Sequence, residues 1–293
     1  MYFYDMVRIR PPSEANSLLL PLTLGCSHNK CTFCCRFKGV RFSIRPIEEV
    51  KADIDLVSRQ YKPYFRRVFL ENADALITPQ AKLVEVLSYI REKLPDIERV
   101  GLYGNAKSIL RKSLDELKEL GRLGLGIIYM GVESGDDEIL QRVKKGVTRE
   151  QLVEAGRRVK AAGITLSVTF ILGLGGRERT WEHAQATAGI LTDIDPDFVG
   201  ALTLMLERPA PIVDEVESGS LKLISPLETL TELRTIIAEA EFTDCFFASN
   251  HASNYMPLRV KLPEQKTEAL RLLDNIITHP EKQNLKPEFL RAL

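Results

Sequence analysis

LLLPLTLGCSHNKCTFCC, residues 18–35, joins an apolar run to a loop that carries Cys26, Cys31, Cys34 and Cys35. Leu18 to Gly25 has the length and apolar content of a buried strand closed by a glycine, and the thiols follow it directly. Cys26, Cys31 and Cys34 stand in a C-x4-C-x2-C spacing. Three soft thiolates on one loop suit iron and sulfur. A closed zinc site completed by His28 or Cys35 and a set of buried thiols with no ligand role are the other readings. Cys35 immediately follows Cys34, so the two are not equivalent ligands. With Cys245 far downstream the chain has 5 cysteines, an odd number and a poor disulfide framework.

Outward from this stretch, short apolar runs alternate with amphipathic ones. Further strands are expected at Arg67 to Glu71, Arg99 to Tyr103, Leu125 to Gly131, Ile164 to Gly173 and Phe198 to Leu204. Helices are expected at 46–62, 79–94, 113–121, 148–162 and 180–193. Ser113 with Glu116 and Thr148 with Gln151 fit the capping box, and Pro79 after Thr78 and Pro226 after Ser225 fit a cap followed by proline at the first helical position. Strands joined through helices of this length pair in parallel. Six such units favour a curved barrel over a doubly wound sheet, and both put chemistry at the strand C-termini.

Past residue 205 the period weakens in ERPAPIVDEVESG, and helices are expected at 226–240 and 263–277, with a short one from Pro287. The length of 293 residues is enough for one large domain or two ordinary ones. The division drawn from the pattern is 1–205 for the α/β part and 206–293 for a mainly helical extension that caps it.

The chain has 40 Lys plus Arg against 40 Asp plus Glu, so no broad field attracts nucleic acid, and a dedicated nucleic-acid binder is disfavoured. The opening MYFYDMVRIRPP, with Asp5, has no long apolar run before Pro11, and no later stretch approaches the ~20 apolar residues that span a bilayer. A cytoplasmic protein without a membrane segment is expected.

The cysteine loop resembles that of radical S-adenosylmethionine (SAM) enzymes, whose commonest motif is C-x3-C-x2-C after the first strand of a partial (β/α)6 TIM-like barrel. Here Cys26 and Cys31 stand one residue further apart, as in some branches of that superfamily. The resemblance covers about residues 20 to 204, and the chain is distantly similar to oxygen-independent coproporphyrinogen oxidase-like proteins. It implies a 4Fe-4S cluster on Cys26, Cys31 and Cys34. SAM would bind the iron left open and be cleaved to a 5′-deoxyadenosyl radical by an electron from a reductant such as ferredoxin or flavodoxin.

The same resemblance implies a cofactor cradle. Phe33 stands where the family has an aromatic residue near adenine, with core packing as its other reading. FLENADAL takes the place of a Gly-Gly-Glu segment, so the backbone of Asn72 and Ala73 receives the methionyl ammonium and Asp74 adds charge compensation or caps the loop. In YMGVESGDDEIL, Glu133 and Ser134 reach SAM. In TFILGLGGRERT, the backbone from Ile171 to Gly173 meets adenine and Arg177 holds the loop or substrate. Asn105 and Arg142 are further rim groups.

Beyond the cradle, His251 and Tyr255 in NHASNY are the candidate catalytic residues, with a structural turn as the alternative. No downstream cysteine group is able to hold a second cluster. The function expected is a radical SAM enzyme that abstracts hydrogen from a small substrate. The alternatives are radical SAM modification of RNA or protein, for which the basic stretch from Lys144 to Lys160 is the candidate surface, and a non-enzymatic iron–sulfur electron carrier or zinc-stabilised interaction protein.

Overall fold

The computed structural model describes residues 9–60, 65–282 and 285–292. Asp5 and the rest of MYFYDMVR lie outside the described residues. The chain forms two compact units: the described parts of Met1–Asn29, Arg36–Met130 and Glu154–Leu166, and those of Lys30–Cys35, Gly131–Val153 and Ser167–Leu293.

In the first unit, β1 (Leu18–Pro21) leads through β2 (Thr23–Leu24) to the cysteine loop, and β2 pairs antiparallel with β3 (Ser43–Ile44). Then come α1 (Ile47–Gln60), β4 (Arg67–Glu71), α2 (Gln80–Lys93), β5 (Arg99–Tyr103), α3 (Ala106–Leu110), α4 (Leu114–Arg122) and β6 (Leu125–Glu133). β1, β4, β5 and β6 pair in parallel in that order, as strand–helix alternation requires. Their apolar runs form the core: Leu20, Phe69, Leu70, Leu102 and Ile128 are all buried. Ser113 and Glu116 make the expected capping box of α4. Helix α2 starts one residue later than expected, with Pro79 at the cap position and no side-chain cap.

Ahead of β1, the segment RPPSEA folds into a short 3-10 turn, Pro12–Glu14, whose Glu14 is fully buried. Its carboxylate accepts hydrogen bonds from Ser17 Oγ, Arg99 and, at 2.6 Å, Tyr129 Oη. Breaking such a buried charge pair is costly because it strands the remaining charge. This segment therefore serves as an anchor, its charge neutralised by a residue that begins β5.

The second unit holds the end of β6 and α5 (Asp137–Arg142). Next, α6 (Arg149–Ala161) and β7 (Thr165–Leu172) run through both units. They are followed by α7 (Thr180–Ile194), β8 (Phe198–Thr203), α8 (Ile212–Glu217), α9 (Pro226–Glu239), β9 (Cys245–Ala248), β10 (Arg259–Leu262) and α10 (Lys266–Thr278). β7, β8 and β9 are parallel, and β10 returns antiparallel to β9. Helix α9 packs on both α7 and α10, and starts at the expected Ser225–Glu228 capping box with Pro226 at its first position. The expected α/β class and its six strand–helix units are present, with a mainly helical stretch after β8. The strands β9 and β10 are the addition. NHASNY runs on from β9: Asn254 bonds Thr203 Oγ1 and the Ala201 carbonyl, and Ser253 Oγ accepts the Thr203 N–H. Among the described residues, no helix is long and apolar enough to cross a membrane.

Candidate functional site

The cysteine loop is held at both ends by bonds that the sequence does not announce. In the first unit, Cys26 is half-buried and its Sγ accepts the Asn29 N–H at 3.4 Å, with Asn29 in the left-handed region at φ 44°. In the second unit, the Thr32 N–H donates to the Val143 carbonyl at 2.9 Å, and the Ile212 N–H donates to the Thr32 carbonyl at 3.0 Å. Cys31, Cys34 and Cys35 are half-buried, and none of the chain's cysteines is in a disulfide. Cys35 turns its thiol to the Glu207 carboxylate at 3.5 Å. Phe33 packs against an apolar cluster that includes Ile139, Val143, Leu174 and Ile212, which is the core-packing position.

At the end of β4, Asn72 is buried at φ 81° and its amide donates to the Thr23 carbonyl at 2.7 Å. Ala73 is half-buried beside it. Asp74 is fully buried, and its carboxylate receives Ser27 Oγ, Ser108 Oγ (2.7 Å), the Asn105 amide (2.7 Å) and the Asn105 N–H (3.2 Å). Burial raises its carboxyl above the usual range, and the hydrogen bonds from Ser27, Ser108 and Asn105 oppose that rise. Asn105 also caps α3 by accepting the Ser108 N–H. Asp74 and Asn105 thus spend their polar atoms on each other and on Ser27, the neighbour of Cys26.

In the second unit, β6 ends on Glu133, at φ 66°, and its carboxylate pairs with Lys145 Nζ at 2.8 Å with both side chains only 12% exposed. A non-glycine residue in this region costs on the order of 1–3 kcal/mol, and such residues collect at functional sites. Next comes Ser134, buried, whose Oγ lies 2.8 Å from His183 Nδ1 and accepts the Asp136 N–H. Gly135 then passes so close to α7 that a Cβ there would lie 1.9 Å from the Ala186 carbonyl oxygen.

The end of β7 is bound just as tightly. His183 Nε2 is 3.0 Å from the Ile171 carbonyl, and Glu232 on α9 accepts the Gly173 N–H at 2.7 Å and Thr180 Oγ1 at 2.6 Å. Gly173 lies at φ 78°, a conformation that glycine adopts without a Cβ penalty. Arg142 donates to the Leu174 and Gly175 carbonyls, closing the glycine loop from the α5 side. Arg177 is exposed; its N–H reaches the Lys222 carbonyl, and its guanidinium lies 3.6 Å from Glu228.

A cavity of ≈ 170 Å³ opens at the C-terminal ends of β7 and β8, lined by Leu172, Gly173, Thr203, Leu204, Tyr255 and Arg291 among others. Tyr255 Oη donates to Glu288 at 2.9 Å and accepts from Arg291, whose guanidinium stacks 4.2 Å from the ring centroid. Burial raises the Tyr255 hydroxyl above its ordinary value. His251 is not among the lining residues: its Nδ1 sits 2.9 Å from Ser253 Oγ and 3.2 Å from the Ser253 backbone nitrogen, a local turn. The basic stretch is largely matched by acids. Lys145 pairs with Glu133, Arg149 with Asp193 and Arg158 with Glu154.

The family model described as the radical SAM superfamily matches residues 20–188, more than half of the chain. The chain belongs to the radical SAM superfamily. It is 26% identical over 239 residues to the tRNA-2-methylthio-N(6)-dimethylallyladenosine synthase of Bordetella petrii, covering 78% of this chain and 48% of that protein. It is 26% identical over 203 residues to the 4'-phospho-dehydrooxetanocin synthase of Priestia megaterium, covering 61% of this chain and 27% of that one. The chain therefore spans about half the length, or less, of these curated relatives. Among solved structures, the radical SAM coproporphyrinogen III oxidase HemN from Escherichia coli matches at TM-score 0.53 and 18% identity, over 76% of this chain and 51% of that one. Methylornithine synthase PylB matches at TM-score 0.53 and 18% identity, over 77% of this chain and 63% of that one. At such identities the structures speak for the fold alone, and it is the partial (β/α)6 fold expected from the sequence.

Radical SAM enzymes use a 4Fe-4S cluster and SAM, as the cysteine loop implied. Among the described residues, no three Cys, His, Asp or Glu side chains already converge in a metal-holding arrangement. The donor chemistry nevertheless fits: three half-buried thiols outside any disulfide sit in a loop whose neighbours Ser27 and Thr32 are fixed by hydrogen bonds. His183, Glu232 and Gly135 went unread in the sequence, and Lys145 was read only as part of a basic surface. Each acts on a residue distant in the chain, and only the GDD following Ser134 hinted at a tight turn.

Proposed function

We propose that the protein is a radical SAM enzyme that abstracts hydrogen from a small-molecule substrate. The observation that carries the reading is the C-x4-C-x2-C loop at the end of the first strand of a chain whose residues 20–188 match the superfamily. Cys26, Cys31 and Cys34 hold the cluster; when bound, the cluster and SAM supply one-electron cleavage of the sulfonium.

The chain's own residues do the positioning. Asp74 fixes the loop through Ser27, while Glu133 and the backbone at Asn72 and Ala73 present polar groups at strand ends. Phe33 and the turn from Ile171 to Gly173 supply the apolar and close-packed walls for adenine, and Arg177 stands at the loop's outer edge. Tyr255 lines the cavity at the ends of β7 and β8, where a small substrate would lie, and its hydroxyl, bonded to Glu288 of the same lining, is suited to hold a proton. His251 orders the turn that presents it. Residues 206–293 form the cap over the 1–205 cofactor module, and the electron comes from ferredoxin or flavodoxin.

The names of the tRNA-modifying relatives favour a second reading, RNA as substrate. The pairing of Lys145, Arg149 and Arg158 with acids leaves less positive charge for a phosphate backbone, and supports the small substrate. The test is anaerobic reconstitution with iron and sulfide, then reduction with SAM in the presence of a metabolite pool or of bulk tRNA. Substrate-dependent 5′-deoxyadenosine with metabolites alone supports the proposal; dependence on tRNA transfers it to RNA.

A further inference from the structure

Two buried titratable side chains that the cradle leaves unused, His183 and Glu232, bond to three of its residues, Ser134, Ile171 and Gly173. Both are inaccessible to solvent, with His183 Nε2 3.6 Å from Glu232 Oε1. The Ile171 carbonyl, 3.0 Å from Nε2, is only an acceptor, so Nε2 carries the proton. Nδ1 lies 2.8 Å from the Ser134 hydroxyl, which itself accepts the Asp136 N–H. Thr187 Oγ1 stands 3.4 Å from the same nitrogen and accepts the Gly135 N–H. One imidazole thus connects the end of β6 to the end of β7.

Glu232 completes the connection from a different element. One oxygen accepts the Gly173 N–H and the other accepts Thr180 Oγ1, so a carboxylate on α9 fixes the backbone amide of the residue that closes β7. A buried carboxylate satisfied by one backbone amide and one hydroxyl is expensive to bury for packing alone. Here its bonds fall on the turn at the mouth of the cavity. Ser134, Ile171 and Gly173 are three of the positions the SAM site is built from, and this network touches all three.

We propose that His183 and Glu232 are positioning residues for SAM: they lock the β6 and β7 ends in the arrangement that receives its adenosyl part, and through α9 they make that arrangement depend on the segment after residue 205. The inference rests on the SAM-site reading given above. It also separates the roles of the two groups. His183 sets where Ser134 lies relative to Ile171, while Glu232 holds the Gly173 amide and ties it to Thr180.

The test measures SAM affinity by anaerobic equilibrium dialysis on the reconstituted full chain, together with the spectrum of the reduced cluster with and without SAM. His183→Phe removes both bonds of the ring, His183→Gln offers a donor and an acceptor again, Glu232→Gln keeps the acceptor for Gly173 without the charge, and Thr180→Val removes a single half-buried bond. Loss of a buried hydrogen-bonded link is expected to weaken SAM binding about tenfold in His183→Phe, and a few-fold in Thr180→Val. His183→Gln is expected to recover most of it. Iron content and the SAM-free cluster spectrum should stay those of the wild type.

SAM affinity within twofold of wild type in His183→Phe, with iron and fold intact, overturns the inference. Should His183→Phe fail to fold, unchanged affinity in both Thr180→Val and Glu232→Gln overturns it equally. A wild-type protein that holds its cluster and binds no SAM overturns the functional reading itself.

Discussion

Gly135→Ala isolates the close approach of the turn after β6 to α7. Gly135 has an ordinary φ, so the substitution adds no backbone strain of its own. The new Cβ would meet the Ala186 carbonyl oxygen at 1.9 Å, the Ala186 carbonyl carbon at 2.3 Å and the Thr187 nitrogen at 2.8 Å. All three belong to the backbone of α7, so no side chain is able to swing away; the turn after β6 and α7 must separate by roughly 1 Å. That movement breaks the Gly135–Thr187 bond and drags Ser134 from His183. Overpacking of this kind costs about 3 kcal/mol or more, a fall in Tm of about 5–10 °C for a chain of this size.

The control is Gly163→Ala, at φ 74° with open space around it, where only the left-handed conformation is penalised, at about 1 kcal/mol. The assays are urea unfolding followed by circular dichroism, and SAM binding on reconstituted protein. Gly135→Ala should lose more stability than Gly163→Ala and bind SAM more weakly, while Gly163→Ala binds as the wild type. A Gly135→Ala midpoint within about 0.5 kcal/mol of wild type would refute the close-approach reasoning.

Other residues give separable outcomes. Each of Cys26→Ala, Cys31→Ala and Cys34→Ala should abolish cluster incorporation, whereas Cys35→Ser should keep it; iron and sulfide analysis after reconstitution checks this. Asp74→Asn puts an amide among the four donors that Asp74 now receives, and should reduce iron loading several-fold, read against the melting temperature. Lys145→Met leaves the half-buried Glu133 without its partner and should destabilise the protein by about 2–4 kcal/mol, a loss that Glu133→Gln in the same chain partly recovers; chemical denaturation of the single and double variants measures it.

The barrel strands were legible because they are apolar and separated by helices, some with readable caps. The parallel pairing of β1, β4, β5 and β6 follows from that alternation. β9 and β10 were not, since no helix separates them and β9 is not continuously apolar in its setting: in CFFA, Phe246 is exposed between buried Cys245 and Phe247. In the site, the cysteine loop announced itself by its spacing, and the strand-end residues only through the resemblance to radical SAM enzymes. What those residues touch did not. Asp74 was read toward a ligand, yet its bonds go to Ser27, Asn105 and Ser108, because burial forces a carboxylate to find donors wherever the fold brings them. The contacts of RPPSEA, and of NHASNY, which was read for catalytic residues or a turn, were hidden as well. Their polar residues turn out to neutralise Arg99 and to pin the end of β8, contacts at long sequence separation that no local pattern encodes.

The most direct measurement is the formation of 5′-deoxyadenosine. The anaerobically reconstituted protein, reduced with dithionite and given SAM, should yield 5′-deoxyadenosine by mass analysis, and the Cys26, Cys31 and Cys34 variants should yield none. An intact, reducible cluster that leaves SAM uncleaved under those conditions would contradict the account.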